Sequence, residues 1–296
     1  MDLKEFLSRK RLLVDKFLDE VLPKEDNYPV ILHRAMRYSV FAGGKRIRPI
    51  LALAAADVVG GHVETVLPLA VSLECIHTYS LIHDDLPAMD NDDLRRGKAT
   101  VHKVFGEAVA ILAGDALLTL AFEVLSSPEV GRVHPPERLV AVIRELASAA
   151  GSRSLIAGQV MDILSEGKPV DAPTVEQIVR DKTGALIRAS LSCGARLAGG
   201  SREQIEILGR FGEDIGKVFQ IRDDLLDLEG DPEKLGKAVR KDEQRGKATY
   251  PMLVGRDGAR ELMNSLISSA LETIRPLGRN ADILTSLGEY LGRRIN

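Results

Sequence analysis

Apolar residues recur along nearly the whole of this chain at spacings of three and four. Phe6, Leu13 and Phe17 form one such series, Val71, Cys75 and Tyr79 another, and Ile207, Phe211, Ile215, Phe219 and Leu226 a third. That period gathers side chains on one side of a helix, whereas a strand needs alternation, which is scarce here. The chain therefore reads as all-α. Breaks at Gly43-Gly44, Gly60-Gly61, Pro87, Gly97, Ser126 to Pro136, Gly167 to Pro173, Gly199-Gly200 and Gly230 to Gly236 divide it into long helices. Several are apolar over most of their circumference, so others must surround them, as in a large bundle. No stretch has linker composition and no repeat of fixed period appears, which predicts a single domain over residues 1–296. At 45% hydrophobic, the chain can bury a sizeable core.

Composition excludes some partners. The net charge is −3, tryptophan is absent, aromatics are 4%, and no basic run is interleaved with aromatics for base stacking, so a nucleic-acid partner is not expected. Cys75 and Cys193 lie far apart in apolar helical contexts and read as buried thiols, which fits a cytoplasmic location. Met1 to Glu5 lacks the apolar core of a signal peptide. The longest apolar stretch, Ala108 to Leu125, contains Asp115 and Glu123 and reads as a core helix, not a membrane span.

Two aspartate-rich stretches close apolar runs: Asp84-Asp85-Leu86-Pro87-Ala88-Met89-Asp90 and Asp223-Asp224-Leu225-Leu226-Asp227. Carboxylates in apolar surroundings repel one another and lose hydration, so a buried cluster needs cations. Oxygen ligands without cysteine favour Mg2+, with Mn2+ or Ca2+ open, and Mg2+ is usually shared between carboxylates and substrate phosphates. On a helix Asp223, Asp224 and Asp227 share a face, with Gln220 three residues before Asp223. Asp84 and Asp90 are out of helical register, so a break at Pro87 must bring Asp90 back. A solvated acidic helix end is the bland alternative for either motif alone; two such motifs argue against it.

Basic residues supply the counterpart. Gly43-Gly44-Lys45-Arg46-Ile47-Arg48-Pro49 combines close backbone approach with phosphate donors. Arg95-Arg96-Gly97-Lys98, Lys182-Thr183-Gly184 and Lys237, Lys241 and Lys247 add more. His77 lies two helical turns before Asp84 and reads as an anion donor. The adjacent pair His83-Asp84, with His102 near, also occurs in HD-domain metal phosphohydrolases. That rival does not account for the histidine-free second motif or the three basic clusters. No nucleophile elbow or P-loop lysine motif is present. Acids for metal, bases for phosphate and an apolar wall suit heterolysis of a carbon–diphosphate bond.

In these residues the chain resembles the trans-isoprenyl diphosphate synthases, and within them the bacterial farnesyl diphosphate synthases. The motifs occur in family order: residues 43–49, Leu81 to Phe105, Gly158-Gln159 with Asp162, Lys182-Thr183-Gly184, Gln220 to Asp227, and Lys247-Ala248-Thr249-Tyr250-Pro251. The resemblance implies an all-α isoprenoid synthase bundle with a central active-site cavity, a homodimer and three Mg2+ ions. It implies metal binding by Asp84, Asp85, Asp90 and Asp162 on one side and by Asp223, Asp224 and Asp227 on the other. Arg95, Lys182 and Lys237 would hold an allylic diphosphate, with Thr183 and Gln220 near the cation. Gly44, Lys45, Arg48, His77 and Arg96 would hold isopentenyl diphosphate. Arg240 stands where relatives often have glycine in a mobile loop. The helix Val104 to Leu125 reads equally as a subunit face or a core helix.

The implied reaction is head-to-tail condensation of isopentenyl diphosphate with an allylic diphosphate, dimethylallyl and then geranyl, with released diphosphate taking the proton. Mainly farnesyl diphosphate is expected, with geranylgeranyl diphosphate the alternative. A class I terpene cyclase would leave Lys45, Arg48 and Arg96 unexplained, and a non-catalytic partner subunit tends to lose one aspartate motif. Product length should be set by the residues preceding Asp84. Tyr79 lies five residues before it, a rise of about 7.5 Å, and Ser80 four. An aromatic at the Tyr79 position resembles the floor that stops growth at fifteen carbons.

Overall fold

The computed structural model describes residues 2–229 and 245–293. The expected break at Gly230 to Gly236, and Lys237, Arg240 and Lys241, lie outside them. Helices α1 (Leu3–Val21), α2 (Val30–Val40) and α3 (Ile47–Val58) lead through a 3-10 turn to α4 (Leu67–Asp84). An antiparallel hairpin, β1 (Leu94–Arg95) with β2 (Lys98–Ala99), precedes α5 (Val101–Phe105), α6 (Glu107–Leu125), α7 (Pro128–Val133), α8 (Pro136–Ala150) and α9 (Leu155–Ser165). Next, α10 (Ala172–Val179), a π turn (Arg180–Gly184) and α11 (Ala185–Leu197) run as one continuous helix. Then come α12 (Arg202–Glu229), α13 (Tyr250–Ile274) and α14 (Asp282–Arg293). The all-α expectation holds.

Two apolar clusters fill the bundle. One surrounds α4 with α6 and α8; the other joins α12, α13 and α14. Helices α3 and α11 contribute side chains to both, Ala52 and Leu53 to the first and Ile50 and Leu51 to the second, and so form the wall between them. Their close crossing depends on Gly194: a Cβ there would lie 2.4 Å from the Ala52 carbonyl oxygen. Helix α4 is buried on almost every side, from Leu69 to Ile82, which explains why its apolar residues show no single stripe. The same burial accounts for its membrane-like composition. Cys75 and Cys193 are buried free thiols.

Some boundaries differ from the sequence reading. Gly106, with φ +83°, separates α5 from α6, so the apolar helix starts at Glu107 and not at Val104. The Ser126–Pro136 break contains the short helix α7, which Pro128 starts by taking a position whose N–H needs no partner. Helix α13 carries an interruption at Gly255, φ +73°, that apolar spacing did not reveal. Helix α6 is only partly a core helix: Ala110, Ala113 and Leu117 are buried, whereas Ile111 and Leu112 are 43% and 57% exposed.

Candidate active site

Helix α4 ends at Asp84, three residues before Pro87. The chain then turns back on itself, with the Asp90 N–H donating to the Asp84 carbonyl at 2.7 Å and the Asp92 N–H to the Asp85 carbonyl at 3.2 Å. This return brings Asp90 beside Asp84, as the proline predicted. Burial pushes the Asp84 carboxyl up to about 6, against the pull of Lys182 and with the help of Asp90. Asp90 experiences burial too, but Lys247, Lys182 and Arg245 together hold it below the ordinary carboxylate value. Asp85 points to the other side, where it is buried and accepts from Arg95 Nε at 2.8 and 2.9 Å. The metal candidate Asp85 and the diphosphate candidate Arg95 are thus partners of one another.

The wall beside this turn comes from α9 and the π turn. Asp162 is 7% exposed and accepts from Lys182 Nζ at 2.6 Å; Lys247 Nζ lies 3.7 Å from the same oxygen and 3.4 Å from Asp90 Oδ1. Two glycines allow this wall to form. A Cβ on Gly158 would meet the Lys182 main-chain nitrogen at 2.3 Å, and one on Gly216 would meet the Gly184 Cα at 2.7 Å. The π turn widens the helix at Lys182-Thr183-Gly184 and directs Thr183 toward α12. There the Thr183 hydroxyl donates to Gln220 Oε1 at 2.7 Å, and Gln220 Nε2 donates to Asp224 Oδ1 at 2.8 Å. Asp224 and Asp227 are buried and Asp223 is half-buried.

The other basic residues gather around His77. Arg96 donates to the Gly43 carbonyl, and a Cβ on Gly44 would lie 2.6 Å from Arg96 Nη1, so Gly44 (φ +129°) makes room for this guanidinium. Arg48 is pushed down to about 10 by burial, with Arg96 adding to the effect and Glu74 and Asp223 opposing it. Its Nε is buried without a hydrogen-bond partner among the described residues. Burial, then Arg48, Arg96, Arg95 and Arg46, hold His77 well below its usual value, so it is neutral. Lys45 is exposed. Asp223 of the second aspartate motif lies near enough to Arg48 to oppose the fall in its pKa. Tyr79 lies buried on α4 with its hydroxyl lacking a partner among the described residues, and its ring meets His83 edge-on at 5.7 Å. The Ser80 hydroxyl donates to the His77 carbonyl at 2.9 Å.

Histidine ligation finds no support in this arrangement. His83 Nε2 contacts the Ile111 carbonyl at 3.1 Å, on the α6 side, and buried His102 pairs with Thr100 at 3.1 Å. The seven candidate aspartates do not close into one shell: among the described residues no three acidic, histidine or cysteine side chains form a metal-holding group. Lys182, Lys247 and Arg245 stand against their oxygens instead. An all-oxygen donor set of buried and half-buried carboxylates nevertheless fits a hard divalent ion.

Sequence reasoning missed two residues here. Arg245 bonds both the side chain and the backbone of Asp90. Arg46, within the first basic stretch, is 3% exposed and pairs with Asp15 at 2.7 Å and buried Glu74 at 2.6 Å. Its left-handed backbone (φ +53°) turns it away from its neighbours. A buried glutamate within apolar α4 was the available signal for Arg46; none marked Arg245.

The bundle, its two aspartate motifs and the neighbouring arginine group suit chemistry on diphosphates. A family model described as polyprenyl synthetase matches residues 29–276, and the chain belongs to that family; it is a prenyltransferase. It is 45% identical over 283 residues to the farnesyl diphosphate synthase of Geobacillus stearothermophilus, covering 96% of this chain and 93% of that one. It is 47% identical over 301 residues to the heterodimeric geranylgeranyl pyrophosphate synthase large subunit 1, chloroplastic, of Arabidopsis thaliana, covering 100% and 80%. Among solved structures, the apo FPP/GFPP synthase of Zymomonas mobilis superposes with a TM-score of 0.88 at 38% identity over 98% of each chain. The geranylgeranyl pyrophosphate synthetase of Pyrococcus horikoshii gives 0.88 at 33% identity over 98% and 99%.

Proposed function

We propose that this prenyltransferase joins isopentenyl diphosphate head to tail to dimethylallyl and then geranyl diphosphate, and releases mainly farnesyl diphosphate. The observation that supports the reading is a chain with two aspartate motifs and two groups of cations, one around Lys182 and Arg95 beside the first motif and one around Arg48 and Arg96. Lys182, Arg95 and Lys237 are assigned to the allylic diphosphate. Lys45, Arg48, Arg96 and neutral His77 are assigned to isopentenyl diphosphate, and Gly44 to keeping Arg96 in place. Arg48, half-buried with an enclosed and unanswered Nε, suits an anion brought by substrate. Asp84, Asp85, Asp90 and Asp162, opposite Asp223, Asp224 and Asp227, are assigned to Mg2+, three ions by family likeness. When bound, these ions supply charge neutralisation of the departing diphosphate.

The chain's own residues act on the carbon skeleton by position. Thr183 and Gln220 present oxygens on the side between the two aspartate motifs, where positive charge develops after the allylic C–O bond breaks. The apolar surface of α4 excludes water from that carbon. The new carbon–carbon bond forms at the isopentenyl double bond, and the proton then lost passes to the diphosphate. Tyr79, with Ser80 beside it, is assigned to the floor of the chain pocket. Farnesyl diphosphate is favoured over the twenty-carbon product because this bulky ring is buried just before the aspartates.

A homodimer through the exposed part of α6 and a cytoplasmic location belong to the same proposal; two buried thiols suit a reducing compartment. The test is product analysis of the purified chain with Mg2+, isopentenyl diphosphate and each allylic starter. A fifteen-carbon product supports the reading. Equal release of diphosphate from the allylic substrate without isopentenyl diphosphate would overturn it.

A further inference from the structure

Arg245 is joined to Asp90 across 155 residues of sequence. Its Nη1 lies 2.5 Å from Asp90 Oδ1 and its Nη2 donates to the Asp90 main-chain oxygen. A two-point grip on one residue is more than a solvated charge near an acid, because it fixes the carboxylate's direction. The arginine itself is held. Gly246, with φ +64°, accepts from the Gly167 N–H at 3.0 Å, and a Cβ on Gly246 would lie 3.0 Å from the Gly167 Cα. The loop after α9 therefore clamps the Arg245-Gly246-Lys247 segment, and both flanking side chains reach Asp90 Oδ1. By contrast, no ion pair or hydrogen bond to the Asp84 carboxylate appears among the described residues. Among the described residues Asp90, like Asp85 with Arg95, is thus in contact with protein cations, and Asp84 is not.

A divalent ion ligated by Asp90 Oδ1 would compete for that oxygen with Arg245, whose Nη1 lies 2.5 Å from it. We infer that Arg245 is the resident counter-cation of Asp90, displaced when a divalent ion binds, and that it raises the ion concentration the enzyme requires. This rests on the assignment of the aspartates to metal. Removing the charge abolishes the competition, whereas lysine retains it.

The test titrates Mn2+ in the presence of inorganic diphosphate, reading free ion by electron paramagnetic resonance, with parent, Arg245→Gln and Arg245→Lys. Arg245→Gln is expected to bind Mn2+ about three- to tenfold more tightly, as for loss of a partly buried ion pair, and Arg245→Lys to stay near the parent. Without divalent ion, Arg245→Gln should melt below the parent, and its rise on adding Mn2+ should be larger. Binding by Arg245→Gln no tighter than the parent's overturns the inference alone. Failure of the parent itself to take up Mn2+ overturns the metal assignment with it.

Discussion

Lys182 Nζ lies 2.6 Å from Asp162 Oδ2, so the lysine assigned to substrate is already bonded to an aspartate assigned to metal. Phosphate binding must share or exchange that partner. Lys182→Ala should raise KM for the allylic diphosphate about ten- to a hundredfold, the usual cost of a lost charged hydrogen bond. Arg48→Ala should do so for isopentenyl diphosphate. Steady-state kinetics with each substrate varied in turn checks the division; equal effects on both substrates would remove it.

Gly158→Ala tests the packing of α9 on the π turn. The added methyl meets main-chain atoms of Lys182 at 2.3 and 2.7 Å, which cannot rotate aside. A loss of about 1–3 kcal/mol in stability is expected, by chemical denaturation, together with lost activity. Gly131→Ala is a control, since a Cβ there meets nothing within 4 Å.

Asp84 makes stability depend on pH in a definite direction. Its carboxyl rises from an ordinary 3.8 to about 6. Between those values the folded chain keeps a proton that the unfolded chain has released, so stability falls as pH rises through that window and stays lowered above it. Asp84→Asn should therefore melt above the parent at pH 7.5 without divalent ions, by about 1–2 kcal/mol, and lose that advantage near pH 4. Thermal melts across pH in a chelating buffer decide this. A constant difference at every pH would assign the effect to packing.

Tyr79→Ala should move the main product from fifteen carbons to twenty or more. The ring is buried and its hydroxyl lacks a partner among the described residues, so little hydrogen bonding opposes its removal. Product chromatography reads the shift. Unchanged chain length in an active variant would place the floor elsewhere.

The parts of the site that were legible in the sequence are those carried by local chemistry. Pro87 after an apolar run gave both the end of α4 and the return of Asp90, because proline removes a donor at a known place. The helical face shared by Gln220, Asp223 and Asp227 followed from spacing alone. What escaped depends on distant partners. Gly158 was visible as part of a motif, but its reason is the Lys182 backbone on another helix. The three cations of the first basic run look alike on paper, yet Lys45 is exposed, Arg48 half-buried and Arg46 enclosed. The left-handed backbone at Arg46 separates those fates, and no residue pattern announces it. Arg245 sits in a stretch of ordinary composition, 155 positions from the carboxylate it holds.

The pairing of Arg46 with Asp15 has a practical consequence for anyone reshaping the ends of this protein. Asp15 belongs to α1, ahead of the region that the family model matches. Trimming the first helix would leave a guanidinium that is only 3% exposed with Glu74 as its sole carboxylate partner among the described residues, on the stretch that also carries Lys45 and Arg48. The opening twenty or so residues thus help hold the stretch to which isopentenyl diphosphate is assigned, and tags or fusions are better joined where they leave α1 docked.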